Sequence, residues 1–313
     1  MAGHAQRSLL HLIDVVDNVP VGFETDCEPY YRLQLAPDPR THGYVHPETV
    51  KSMPWPASFS INHERRQVIL SPPQPDTSLS AHANAAFQAA IDAAIEGRVF
   101  PVLSDMHSEH FLVMGARDFV RLERFASPLF GVACRGAHLT CYVRTPAGLK
   151  IWVARRSLKI RTYPGALDST VAGGVKADDS PLECILAEAA EEASLPEHLV
   201  ARQMRSVGVV TMSHRNPRTE LQHSTVLYVY DMELPDGDVV PRPHDGEVAE
   251  FILMDCAEVR RRMLDGEFKP NVCPVMIDFL VRHGEITPEG EKDYLEICSR
   301  LRRKLPVPTA SDQ

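Results

Sequence analysis

Apolar residues recur at helical spacing near the start of the chain, at Leu9, Leu10, Leu12, Ile13 and Val16, and the run stops at Pro20. This spacing predicts a short amphipathic helix. The stretch that follows is broken by prolines; it predicts strands at Tyr44-Val45 and from Gln67 to Leu70, then a proline-rich loop from Ser71 to Asp76. The alanine-rich segment from Asn84 to Glu96 sets Phe87, Ile91 and Ile95 at i, i+4 and i+8 and predicts a helix closed by Gly97. Val99 to Leu103 and Phe111 to Met114 read as further strands.

Near residue 128 the texture changes. His138 to Val143 and Lys150 to Ala154 are alternating or apolar runs on either side of Thr145-Pro146-Ala147-Gly148, a hairpin signal. Gly173-Gly174 reads as a loop, Pro181 to Ala193 as a helix, Val207 to Met212 and Thr225 to Met232 as a strand pair, and Pro274 to Arg282 as a last helix. The expected organisation is α+β throughout: a smaller amino-terminal unit over residues 1–127 and a second unit with a mixed sheet over residues 128–313.

The helix over Pro181 to Ala193 carries unusual chemistry. Leu182, Ile185, Leu186, Ala189 and Ala193 form its core stripe, while Glu188, Glu191 and Glu192 gather on the opposite side. Glu188 stands at i, i+3 and i, i+4 from the other two, so the carboxylates repel by roughly 0.2–0.5 kcal/mol per pair. Two of them also occupy the last turn, where the helix dipole disfavours anions. A solvated acidic face is one reading; the other is a site for a hard cation, which turns both penalties into attraction. Gly173-Gly174 just before the helix favours the second, because glycine lets backbone approach a ligand.

Composition narrows the alternatives. Asp and Glu number 42 against 33 Lys and Arg, a net charge of −9, which argues against a sequence-independent grip on nucleic acid. Seven cysteines without a CxxC pair suit neither a disulfide framework nor a zinc ribbon and point to a reducing compartment. Asp14 and Asp17 interrupt the first apolar run, against a signal or transit segment, and no stretch has the ~18 apolar residues of a membrane span. Cytosol is the expected location. His107, His110 and Asp105 have a loose metal-ligand look but lack the fourth ligand and spacing of a zinc site. The chain has no GxSxG, P-loop or GxGxxG, so a serine hydrolase, a P-loop NTPase and a dinucleotide enzyme have no support.

The glycine pair, short loop and glutamate-rich helix resemble the Nudix box. That family's pattern is a glycine, five residues, Glu, seven residues, then Arg-Glu-apolar-x-Glu-Glu-x-Gly-apolar. Ala187 to Leu195 matches its second half, Asp179 falls where the first Glu belongs, and the spacing from Asp179 leads back to Gly173. Ala187 replaces the arginine that braces a catalytic carboxylate in the family, Ser194 replaces the last glycine, and Asp179 is a shortened glutamate. The match extends to Phe130-Gly131, Gly136 to Leu139, Trp152 to Ser157, Tyr163 to Asp168, Asp245 to Val248, Phe268 to Asn271 and Ile277 to Leu280. These blocks are similar to the thiamin-pyrophosphokinase-related Nudix proteins of fungi and plants, in which an amino-terminal domain of undefined role precedes the Nudix domain. Some members carry a kinase domain behind it, for which the 313 residues leave no room.

The resemblance implies a Nudix α/β/α sandwich and a diphosphatase of thiamin diphosphate that prefers oxidised forms, oxothiamin and oxythiamin diphosphate, releasing the monophosphate and phosphate. It implies Mg²⁺, with Mn²⁺ as the alternative, held by Glu188, Glu191, Glu192 and the Gly174 carbonyl. Glu191 and Glu247 are the two candidates for the general base, and Glu188 completes the catalytic set; Glu247 also reads as a turn residue after Asp245-Gly246. Gly173, Arg155 and Arg156 are candidate substrate contacts, and strand alternation lets only one of the arginines, for which Arg156 is chosen, face the site. Trp152 and Tyr163 are candidate ring partners for the substrate or ordinary core residues. The expected partner is a small-molecule diphosphate, with no nucleic acid and no membrane. Two rivals share the scaffold: a hydrolase of ADP-ribose or another nucleoside diphosphate derivative, and a weakly active binding module. Isopentenyl diphosphate isomerase chemistry needs a cysteine in the strand before residue 220, and Val209 to His214 offers none.

Overall fold

In the computed structural model, which describes residues 8–103, 107–235 and 239–311, the first apolar run forms helix α1 (Leu9–Val16). The Ser8 side chain caps it by accepting from the His11 N–H. Strands β1 (Tyr31–Leu35) and β2 (Asp38–Val45), helix α2 (Pro47–Ser52), and strands β3 (Phe59–Asn62) and β4 (Gln67–Leu70) follow. The four strands form one sheet in the order β2-β1-β4-β3, with β1 and β4 parallel. Helix α3 (Leu79–Glu96) lays Ala83, Ala86, Phe87, Ala90, Ile91 and Ala94 into this unit's core. It begins five residues before Asn84 because Ser78 caps it from outside the apolar pattern, accepting from the Ala81 N–H. Gly97 is its C-cap.

The strand expected over Val99 to Leu103 does not form. Pro101 cannot donate to a ladder, and Pro101–Leu103 make a 3₁₀ turn instead. A two-stranded ribbon of β5 (His110–Leu112) and β6 (Arg121–Glu123) comes next, then the short helix α4 (Ser127–Phe130). Gly131 ends α4 at φ +64°, and a Cβ there would overlap the backbone of Tyr44. That close approach joins the first sheet to the second unit.

The second unit contains β7 (Cys134–Thr145), β8 (Gly148–Arg156), β9 (Leu167–Asp168), β10 (Val171–Gly174), α5 (Pro181–Ala193), α6 (Glu197–Gln203), β11 (Arg205–Arg215), β12 (Gln222–Glu233), β13 (Val248–Asp255), α7 (Cys256–Asp265), α8 (Cys273–Arg282) and α9 (Tyr294–Arg300). Its sheet runs β11-β12-β7-β8-β13, with β10 on β7 and β9 on β8. The sheet is mixed, since β7 and β12 are parallel while β7 and β8 are antiparallel. On one face α5 and α6 pack over Ala137, Leu139 and Cys141; on the other, α1, α7, α8 and α9 cover Ile151, Val153 and Leu227. The architecture is therefore α+β with a sheet between helical layers. The cores cross residue 128 in both directions: Leu129, Phe130 and Val132 lie in the core of the first unit, Leu9, Leu12, Ile13 and Val16 of α1 lie in the core of the second, and Val19, Phe23, Tyr30 and Tyr44 share a cluster with Val226, Leu305 and Val307.

Gly173 and Gly174, expected in a loop, are the last two residues of β10 and pair with Ala137 and Gly136 of β7. All seven cysteines are free thiols. Among the described residues no helix is long and apolar enough to cross a membrane.

Candidate active site

Helix α5 starts where its signals say it should. Ser180 and Glu183 form a reciprocal capping box and Pro181 takes the first turn. The helix seats Ile185, Ala189 and Ala193 on the sheet, but its buried face is rotated from the expected stripe: Leu182 is 46% exposed, whereas Glu192 is only 6% exposed. Glu192 accepts a hydrogen bond from the Ala172 N–H of β10 at 3.1 Å. Its carboxyl is driven well above the ordinary range by burial and by the charge of Glu188, with the Ala172 hydrogen bond opposing. Glu188 is pushed up to about 7, first by burial and then by Glu191, Glu247 and Glu109, with Lys176 opposing. Glu188 and Glu192 thus flank the core and do not belong to a freely solvated face.

The adjoining strands leave space for these carboxylates. A Cβ on Gly173 would overlap the Glu188 side chain, and one on Gly174 would meet the Phe111 ring at 2.7 Å. Around this glycine floor lies a cavity of about 380 Å³ lined by Glu188, Glu191 and Glu192 of α5, Glu247 from the segment before β13, and Glu109 from the β5 side. The opposite character comes from Arg124, Arg135, Arg156, Lys176 and Lys269, which line the same cavity. One concave surface therefore presents a carboxylate cluster suited to a hard cation beside cationic groups suited to phosphate oxygens.

Arg156 spans the cavity wall. It donates to the Thr162 carbonyl at 3.2 Å and pairs with Asp168 at 3.0 Å. Lys269 reaches Asp168 at 3.5 Å. Burial raises the Asp168 carboxyl, but Lys269, His138 and Arg156 outweigh it and hold the group below its usual range. Arg155 is directed elsewhere, pairing with Glu250 at 2.7 Å on β13, and it does not line the cavity. Glu247 has both features anticipated for it: its N–H is held in a turn by Asp245 at 2.8 Å, and it lines the cavity. Of the two aromatic candidates, Trp152 packs with the α5 core and Tyr163 lies outside this cavity.

Several site residues had no signal in a helix-centred reading. Glu109, Phe111 and Arg124 come from the first unit, where Arg124 pairs with Glu109 and stands over the Phe111 ring. Arg135 donates to the Lys176 carbonyl at 2.8 Å, while its Nε is buried without a hydrogen-bond partner. The Arg135 guanidinium lines the cavity and suits an anionic ligand there. Lys269 lies in the singled-out Phe268 to Asn271 block, which was the available clue. Asp105 lies outside the described residues; His107 meets the Glu123 carboxylate at 2.6 Å and His110 meets the Gln88 amide at 3.0 Å.

A divalent ion matches the donor set, which is all oxygen and places carboxyls side by side, two of which, Glu188 and Glu192, have a raised proton affinity that a cation would replace. Among the described residues no three His, Cys, Asp or Glu side chains are close enough, as placed, to enclose an ion. The two box departures are also visible: Ala187 is exposed, and Ser194 caps α5 at φ +53°, a conformation glycine adopts more readily.

Residues 135–272 match the family profile described as NUDIX domain. The chain is 30% identical to the uncharacterized protein YJR142W of Saccharomyces cerevisiae over 321 aligned residues, covering 96% of this chain and 92% of that one. It is 38% identical to Nudix hydrolase 20, chloroplastic, and 40% identical to Nudix hydrolase 24, chloroplastic, both of Arabidopsis thaliana. Those two alignments each cover 59% of this chain and 49% of the relative, so the chain spans about half the length of the plant proteins it matches.

Proposed function

This chain belongs to the Nudix family and is a hydrolase of diphosphate bonds, and we propose that its substrates are thiamin diphosphate and, preferentially, the oxidised forms oxothiamin and oxythiamin diphosphate. The products are the monophosphate and phosphate. The observation that carries the hydrolytic reading is the convergence of Glu188, Glu191, Glu192 and Glu247 with Arg135, Arg156 and Lys269 on one glycine-floored cavity. The thiamin reading is supported by the sequence blocks shared with the thiamin-pyrophosphokinase-related group, to which we assign both the chain and its amino-terminal unit.

In this mechanism the diphosphate lies between two walls. Arg135 and Arg156 hold its oxygens, and Lys269 adds charge beside Asp168. Glu188, Glu191, Glu192 and the Gly174 carbonyl would hold Mg²⁺, or Mn²⁺ in its place, which when bound would supply charge neutralisation and a more acidic water. Glu191 and Glu247, on separate elements, are the two carboxylates available to take the proton from the attacking water. Glu109 and Arg124 close the cavity from the first unit and restrict bulk water.

Phosphate release with Mg²⁺ over a panel of thiamin, oxothiamin and oxythiamin diphosphates and ADP-ribose tests this reading. The oxidised thiamin compounds should turn over fastest, and Glu191→Gln should lower kcat by about 10²-fold or more. Preference for ADP-ribose would overturn the substrate assignment, and silence on every compound would leave a binding module.

A further inference from the structure

Part of the wall of the acidic cavity comes from outside the second unit. Glu109 and Phe111 from the β5 side, and Arg124 just after β6, line it together with the glutamates of α5. All three precede residue 135, where the family match begins. The ribbon carries them there: β5 and β6 are antiparallel with His110 opposite Glu123, and the Arg124 N–H donates to the Glu109 carbonyl at 2.8 Å. This register sets the Glu109 and Arg124 side chains beside each other at the end of the ribbon.

Three contacts fix the Arg124 guanidinium. Its Nη1 donates to the Glu109 carboxylate, and its Cζ stands 5.5 Å from the centre of the Phe111 ring and 5.9 Å from that of Phe125. A carboxylate and two rings hold a planar cation in one orientation. The guanidinium also lies over the glycine floor, its Cζ 3.6 Å from where a Cβ on Gly174 would stand. The side chain is 47% exposed, so a ligand can reach it. The donors left over decide its use. Arg156 gives Nε and Nη2 to the Thr162 carbonyl and Nη1 to Asp168, which Lys269 shares. Among the described residues Arg124 gives only its Nη1 bond to Glu109, out of the five N–H donors of a guanidinium. An exposed ion pair of this kind is weak. Glu109 therefore orients the fork without consuming it. Arg121, on the same ribbon, pairs with Asp178 and does not line the cavity.

We propose that Arg124 is a substrate ligand supplied by the amino-terminal unit: its remaining N–H groups take oxygens of the diphosphate, and Glu109, Phe111 and Phe125 are the residues that position it. The proposal rests on the diphosphatase reading for the identity of the anion. It gives the amino-terminal unit a direct part in binding. It also makes Arg124 a grip on the phosphates that every candidate substrate shares, indifferent to the organic group.

Methylenediphosphonate, a diphosphate mimic that cannot be hydrolysed and carries no ring, tests the grip without catalysis. It is titrated calorimetrically into the full chain with Mg²⁺. R124A should weaken its binding about tenfold or more, and R121A should leave it unchanged. R124K keeps the charge but loses the fork; it should weaken binding about threefold, and it keeps the idea testable should R124A fail to fold. E109Q should cost about threefold more affinity with Arg124 present than in R124A, a coupling that a merely structural Glu109 would not show. No binding by the unaltered chain, equal affinity in R121A and R124A, or no coupling to Glu109 would overturn the proposal. In turnover, R124A should lower kcat/KM by about the same factor for every diphosphate the chain cleaves; a loss confined to one organic group would overturn it. Diphosphonate binding that depends on Arg124, in a chain that cleaves nothing, would support this role and sink the hydrolytic reading instead. Cleavage untouched by R124A would do the reverse.

Discussion

The carboxyl of Glu188 sits at about 7, against an ordinary 4.5, because it is buried among Glu191, Glu247 and Glu109. Between those two values the folded chain keeps a proton that the unfolded chain has released, so stability falls as pH rises through that window. The buried Glu192 acts in the same direction. In EDTA the melting temperature should therefore drop between about pH 4.5 and pH 7, with Glu188 contributing at most about 3 kcal/mol before solvent screening, or roughly 3–6 °C. Mg²⁺ should recover that loss near pH 8, and Glu188→Gln should remove part of both effects, the buried Glu192 retaining the rest. Differential scanning fluorimetry over pH, with and without Mg²⁺, measures them; a slope unchanged in the variant would contradict the account.

At the scale of the element, α5 ends on a residue that tolerates its backbone poorly. Ser194 holds φ +53°, and its side chain makes a hydroxyl bond to the Arg242 carbonyl at 3.1 Å, while its N–H bonds the Ala189 carbonyl as any residue there would. Ser194→Gly should stabilise the chain by about 0.5–1 kcal/mol, read as a rise in the urea midpoint with an unchanged slope. The limits of α5 were legible because Ser180, Pro181 and Glu183 are local signals. Which of its glutamates meets the core was not legible, since that depends on β10 lying beside the helix and on the Ala172 N–H being free to bond Glu192. The glycine pair was noticed for its chemistry, yet its place in a strand depends on β7, some 36 residues earlier, offering Ala137 and Gly136 as partners. Val99 to Leu103 had the apolar content of a strand, and the single missing donor at Pro101 decided against it. Glu109 and Arg124 lie in another unit of the chain, where no spacing rule connects them to the box.

For the molecule as a whole, the two units are interleaved. The β5–β6 ribbon brings Glu109 and Arg124 to the acidic cavity, while α1 belongs to the second core. A chain starting at residue 128 would lose Leu9, Leu12, Ile13 and Val16 from that core. At ~1.5–3 kcal/mol for each buried side chain, an upper estimate, the loss is ~6–12 kcal/mol, comparable to the whole stability of a domain. Calorimetry should find no cooperative transition in that fragment; a melt close to that of the full chain would show that α1 is dispensable. The seat of α1 is secured at the buried Asp17, whose carboxylate takes Arg300 and Arg303, residues 283 and 286 positions later. On a translating ribosome the first described helix to emerge is thus among the last to dock. Its seat stays unlatched until residues 300–303 clear the exit tunnel, and an apolar stripe held so loosely is a natural handhold for a chaperone on the nascent chain.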